Sequence, residues 1–114
     1  MPTYDQRVAH FRDEMARILN QKVEFPIGSF VTVMDAKMTT DLRFANVVLS
    51  VMPVAMEEAV GEALKDYSND IRKEMASKLH LRHMPNLHWS FDHTEEKAEK
   101  IEKYIEELKQ KGEI

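Results

Sequence analysis

Residues 67–92, YSNDIRKEMASKLHLRHMPNLHWSFD, hold the signals that decide the fold. Tyr67-Ser68-Asn69 interrupts two helical patterns. A helix follows over about 70–80, with Ile71, Met75 and Leu79 on its inner stripe and Arg72, Lys73, Lys78 and His80 among its other residues. Arg82 comes next in a loop that Pro85 closes, and Leu87, Trp89 and Phe91 then alternate with His88 and Ser90 as a half-buried strand requires. Asn tolerates the left-handed conformation and Ser and Asn are good N-caps, so the trio predicts a kink, or a break and a new helix start, with Asn69 supplying the turn conformation.

Upstream of this stretch, residues 55–66 carry an apolar stripe of Met56, Ala59, Val60, Ala63 and Leu64, with Glu57, Glu58 and Glu62 facing out. Pro53 ends a strand over 43–52, in which Ala45, Val47, Leu49 and Val51 share the core face. A first strand over 29–37 is rich in β-branched residues, and residues 38–42 are short enough for an antiparallel hairpin. Before it, Thr3 caps a helix whose Tyr4, Val8, Phe11, Met15, Ile18 and Leu19 recur three and four apart, and Pro26-Gly28 stops it. Downstream, Thr94 caps a C-terminal helix over 94–112, with Ala98, Ile101, Ile105 and Leu108 as its stripe. The order is helix, strand, strand, helix, helix, strand, helix, an α+β class in a single domain spanning 1–114.

Composition narrows the function classes. A hydrophobic fraction of 43% and a charged fraction of 32% are those of an ordinary globular chain. The absence of cysteine excludes disulfides and thiolate metal sites, and with no apolar run of about 20 residues and no leader pattern it points to the cytoplasm. The net charge of −4 disfavours nonspecific nucleic-acid binding by the whole molecule. It leaves room for a local basic face, since screening over about 8–10 Å makes near charges count most.

Three constellations bear on chemistry. Arg72, Lys73, Ala76 and His80 fall on a helical stripe away from Ile71, Met75 and Leu79, with the small Ala76 allowing a phosphate backbone to approach. A helix start at Asn69 adds N–H groups suited to an anion; the bland alternative is a solvated face. His80, His83, His88, Asp92 and His93 raise a zinc site, but they scatter over several elements and form no HExxH pair, so surface histidines are the expectation. Thr39, Thr40 and Asp41, with Asp35, lack a nearby histidine or phosphate loop and read as turn residues rather than enzyme machinery. Trp89 shares the parity of Leu87 and Phe91 and is assigned to the core.

Several separated blocks then carry a resemblance to the bacterial ribosome-binding factor A family. Met38-Thr39-Thr40-Asp41-Leu42-Arg43-Phe44-Ala45 is similar to its hairpin signature, and Ile71-Arg72 with residues 79–87, LHLRHMPNL, to its "IR … LRLR-x-x-P-x-L" run. Phe91-Asp92-His93-Thr94 resembles the step that follows, and residues 19–26 the end of its first helix. The resemblance implies a type II KH-like fold, α-β-β-α-kink-α-β plus a C-terminal helix, with a three-stranded sheet and helices on one face. Tyr67-Ser68-Asn69 stands where that family has an Ala-x-Gly kink.

By the same resemblance the chain is a non-enzymatic, cofactor-free and monomeric assembly factor. It binds the immature 30S subunit and 16S rRNA, aids late maturation including 5′-end processing, and supports growth in the cold. The RNA-contacting residues are then Ser68, Asn69, Arg72, Lys73, Lys78, His80 and Arg82, with Lys37 and Arg43 as a second patch. The alternative is a protein-interaction module whose acidic residues at 57–62 and 95–107 meet a basic partner.

Overall fold

Thr3 starts α1 (Tyr4–Lys22) with a reciprocal cap: its Oγ1 accepts from the Gln6 N–H at 3.2 Å, and its own N–H donates to Gln6 Oε1 at 2.9 Å. The computed structural model describes residues 3–81 and 83–93. The C-terminal helix expected over 94–112 and the side chain of Arg82 therefore lie outside the described residues. Phe11, Met15, Ile18 and Leu19 are buried along α1, joined by Glu14, which the apolar spacing does not mark. Its carboxylate accepts from Arg17 Nη2 at 2.6 Å. Tyr4 stays exposed at the ring but reaches the Met38 carbonyl through its hydroxyl, pinning the start of the helix to the sheet.

The sheet runs β1 (Phe30–Met38), β2 (Phe44–Met52) and β3 (Asn86–Phe91), in that spatial order. β2 is antiparallel to β1 and parallel to β3. As the alternation predicts, Ala45, Val47, Leu49 and Val51 point inward and are buried. β1 does not keep one parity. A bulge between Val33 and Asp35 turns the chain over, so Val31 and Val33 face the core before it and Ala36 and Met38 after it. One extra residue moves every later side chain to the other face, which strict alternation cannot foresee.

After a single 3-10 turn (Val54–Met56) come α2 (Glu57–Asp66) and α3 (Ser68–Leu79). Val60, Leu64, Ile71 and Met75 of these helices close over the same core as α1. The interruption between them is one residue wide, a break and a new helix start, and it does not use Asn69. Tyr67 adopts φ −93°, ψ 7°, donates its N–H to Ala63 at 3.0 Å and accepts from Ile71 at 2.9 Å. Asn69 sits inside α3 and takes no left-handed conformation; among the described non-glycine residues only Leu42 and His80 have positive φ. The break is possible without glycine because it uses the sparsely populated bridge region, open to an L-residue, and because the half-buried Tyr67 ring packs against the core.

The helices cover one face of a three-stranded sheet, the KH-like α+β arrangement that the resemblance implies. The central strand carries most of its cohesion, so Leu49→Ala should cost about 2–5 kcal/mol in urea unfolding. Phe44→Ala on the same strand, where the ring is 55% exposed, should change stability by no more than about 0.5 kcal/mol.

Candidate nucleic-acid interface

Eight of the nine site residues expected from sequence lie among the described residues, Arg82 being the exception, and they fall into four places. Ser68, Asn69, Arg72 and Lys73 form one edge of α3 beside the break, with Asn69 and Lys73 exposed and Ser68 and Arg72 half-buried. Lys78 is exposed but lies about 120–140° round the helix from Arg72 and Lys73, so it faces a different direction. His80 and Arg43 meet at the far end of α3, whereas Lys37 projects alone from the exposed parity of the edge strand β1.

Arg72 has two roles to reconcile. Its Nη1 donates to the carbonyl of buried Pro85 at 3.3 Å, tying α3 to the loop that enters β3. This contact leaves the guanidinium's charge uncompensated. Arg72, Lys73, Lys78 and Lys37 make no ion pair among the described residues. An edge of unpaired cations beside the small Ala76 is what a phosphate backbone needs, but the first turn also holds Asp70, which opposes an anion at the helix start.

His80 ends α3 by entering the left-handed region at φ 52°, ψ 36°, where histidine is better tolerated than most residues, and its N–H returns to Ala76 at 3.1 Å. That turn sends the chain beside the β1–β2 connection, where the Asn86 N–H donates to the Arg43 carbonyl at 2.8 Å. Between the connection, the start of α1 and the end of α3 lies a groove of about 780 Å³. Arg7, His10, Arg43, His80 and His83 stand on it, and Phe11, Met38, Leu42 and Met84 supply apolar lining. Sequence reasoning named neither Arg7 nor His10 as a site residue. No local pattern marks them, because only packing of α1 across the sheet brings them to His80.

The connection is built by local hydrogen bonds, as its threonine and aspartate predict. Thr39 Oγ1 donates to Asp41 Oδ1 at 2.6 Å, and the same oxygen accepts the Arg43 N–H at 3.1 Å. These two bonds, the Thr39 hydroxyl first, hold the Asp41 carboxyl below the ordinary carboxylate value, with the Arg43 charge at 3.9 Å helping. Leu42 pays for its place here with φ 61°, a conformation that costs a non-glycine residue about 1–2 kcal/mol, while its side chain packs against the core.

His80 and His83 share the groove, but the histidines and Asp92 raised as a zinc set do not converge on one point. His88 Nδ1 and Ser90 Oγ share the Asn46 Oδ1 acceptor at 2.7 and 2.8 Å on the outer sheet face, and His93 Nε2 pairs with Glu57 Oε1. Among the described residues no three His, Asp or Glu side chains converge as a metal site requires, and no helix is long and apolar enough to cross a membrane.

Arg72→Ala should cost about 1–2 kcal/mol in chemical unfolding by releasing the Pro85 carbonyl, whereas Lys73→Ala should stay within about 0.5 kcal/mol. A carboxylate lowered in the folded state stabilises fully above its unfolded pKa, and that contribution is lost as pH falls through the folded value. The amide resonance of Arg43 should therefore report a loosening turn only below about pH 4, and Asp41→Asn should abolish that transition.

The chain matches the family described as Ribosome-binding factor A over residues 5–105. A protein named Ribosome-binding factor A from Thermomicrobium roseum is 39% identical over 113 residues, covering 96% of this chain and 88% of that protein. Its namesake from Staphylococcus carnosus is 36% identical over 101 residues, covering 88% of each. Among solved structures, the crystal structure of ribosome-binding factor A from Thermus thermophilus superposes with a TM-score of 0.66 at 18% identity, over 78% of this chain and 94% of that one. A homology model of the same bacterium's factor, fitted into the cryo-EM map of a 30S complex, gives 0.59 at 19% identity over 75% and 94%. With its hairpin, its single-residue helix break and its returning strand set beside these relatives, the chain belongs to the ribosome-binding factor A family.

Proposed function

We propose that this protein is a non-enzymatic assembly factor of the small ribosomal subunit. It binds immature 30S particles through 16S rRNA in the cytoplasm and promotes late maturation, including processing of the rRNA 5′ end. The family match across residues 5–105 carries the reading, supported by a structural neighbour that was placed in a map of a 30S complex.

The surface chemistry supports it independently. RNA presents dense negative charge, which repels a molecule of net charge −4 at long range. Within about 8–10 Å the unpaired side chains dominate, so Arg72 and Lys73 attract a phosphate backbone that the whole molecule does not. Ser68 and Asn69 beside them add neutral hydrogen-bonding groups of the kind that fix register on a backbone without reading sequence. Arg82, read from the same motif, completes the set.

A second surface has its own support: Glu58 and Glu62 lie exposed on α2 and make no ion pair among the described residues. The test separates the two. Binding of purified 30S subunits should be measured against salt as Arg72→Ala, Lys73→Ala and Arg82→Ala are combined. Each lost phosphate contact should lower the slope of log K against log salt by about 0.7–1 and weaken binding at every salt concentration. Unchanged affinity and slope, with binding lost instead on Glu58→Lys and Glu62→Lys, would assign the interface to α2 and a basic protein.

A further inference from the structure

The cationic edge beside the α2–α3 break does not use the groove at the other end of α3, whose Leu79 and His80 lie about 9–12 Å along the helix axis from Lys73 and Arg72. We propose that this groove takes an unpaired nucleotide of the bound RNA, with its base over Phe44 and Leu42 and its phosphates between Arg7 and Arg43. The proposal rests on the preceding reading that the chain binds RNA, and adds a second, chemically different contact.

Charge is the first observation. In a chain with more acidic than basic residues, the described lining of the groove holds Arg7, Arg43 and three of the five histidines against a single acid, Asp41. That carboxylate is engaged by the Thr39 hydroxyl and the Arg43 N–H and lies 3.9 Å from the Arg43 guanidinium, which leaves Arg7 as the cation it does not offset. The field inside the groove therefore favours an anion.

The second observation is apolar surface that folding does not require. Phe44 leaves more than half its area in water at the start of β2, and nearby Leu42 is held in a left-handed conformation that glycine would adopt without strain. A flat ring next to a cationic wall suits a nucleobase, because every base has a face that stacks on an aromatic ring. Asn86 offers an amide donor and acceptor for a base edge, and Gln6, whose Oε1 caps α1, keeps its amide donors on the same lining. An acidic peptide would meet the same arginines but gains nothing from a ring flanked by amides.

Size and shape agree. A volume of about 780 Å³ lies within the roughly 300–1,000 Å³ of pockets that take ligands of nucleotide size. It admits a splayed base, not the stacked interior of a duplex, so the site selects single strands, ends or bulges.

The test is fluorescence anisotropy of the full chain with labelled oligoadenylate and oligouridylate, alongside a hairpin duplex of the same length and an unlabelled oligoglutamate competitor. The single strands should bind better than the duplex. Phe44→Ala should weaken them about tenfold while leaving the unfolding midpoint in place, and Phe44→Tyr should restore binding. Arg7→Gln should weaken them and flatten the salt dependence, and Lys73→Ala should do much less. Equal binding by wild type, Phe44→Ala and Arg7→Gln overturns the groove assignment, as does displacement of the single strands by oligoglutamate at matched charge. Measuring 30S binding with the same proteins separates the two readings. A wild type that binds 30S subunits as tightly as Phe44→Ala and Arg7→Gln retires the groove alone, whereas a wild type that binds neither 30S subunits nor any oligonucleotide retires the RNA reading beneath it.

Discussion

The parallel pairing of β3 with β2 is the constraint on which the rest of this structure depends. Phe44 lies opposite Asn86 and Leu49 opposite Phe91, so a chain that leaves β2 at Met52 must travel back to the Phe44 end before it can pair. Parallel neighbours cannot be joined by a tight turn; they need a crossover of a dozen or more residues, usually helical. Here α2 and α3 make that return. Their inner stripes bury Val60, Leu64, Ile71 and Met75 against the inward side chains of β2, and whatever lies on the outer edge of α3 is thereby turned to solvent. The cationic edge is a consequence of the pairing.

The same return explains why the cationic edge and the groove lie at the two ends of one short helix. At its start, one residue in the bridge region lets α3 change direction from α2 without loss of the flanking hydrogen bonds, since Tyr67 still donates to Ala63 and accepts from Ile71. At its end, His80 in the left-handed region delivers the chain to the hairpin, and the bond from Asn86 to the Arg43 carbonyl locks that junction. Arg72 links the two ends mechanically through Pro85. Its charge and its packing are therefore inseparable, and a loss of binding on its removal means little unless stability is measured beside it. Lys73, exposed and making no ion pair among the described residues, carries the cleaner electrostatic signal.

Much of the fold was legible because periodicity reports burial directly. The alternation of Ala45, Val47, Leu49 and Val51, and the stripe of Ile71 and Met75, name the core face correctly, and Trp89 packs on the core as its parity with Leu87 and Phe91 requires. Features that follow from backbone detail were not legible. The bulge at Val33 and Asp35 reverses the inward face of β1, and no residue type there announces it. The left-handed position expected at Asn69 belongs instead to His80 and Leu42, because packing of the Tyr67 ring lets the helices part without it. The site was half legible for a related reason. Neighbours along α3 could be placed by angle alone, whereas Arg7, His10, Arg43 and His80 come from three elements that meet only in three dimensions.

The central claim is that the outer edge of α3 is the side of the molecule that meets RNA. The most direct measurement places a short-range photocrosslinker at position 73, and separately at position 62 on α2, in complexes with immature 30S particles. Crosslinks to 16S rRNA from position 73, and none from position 62, are the expected result. Crosslinks to rRNA from position 62 with only protein adducts from position 73 would contradict it.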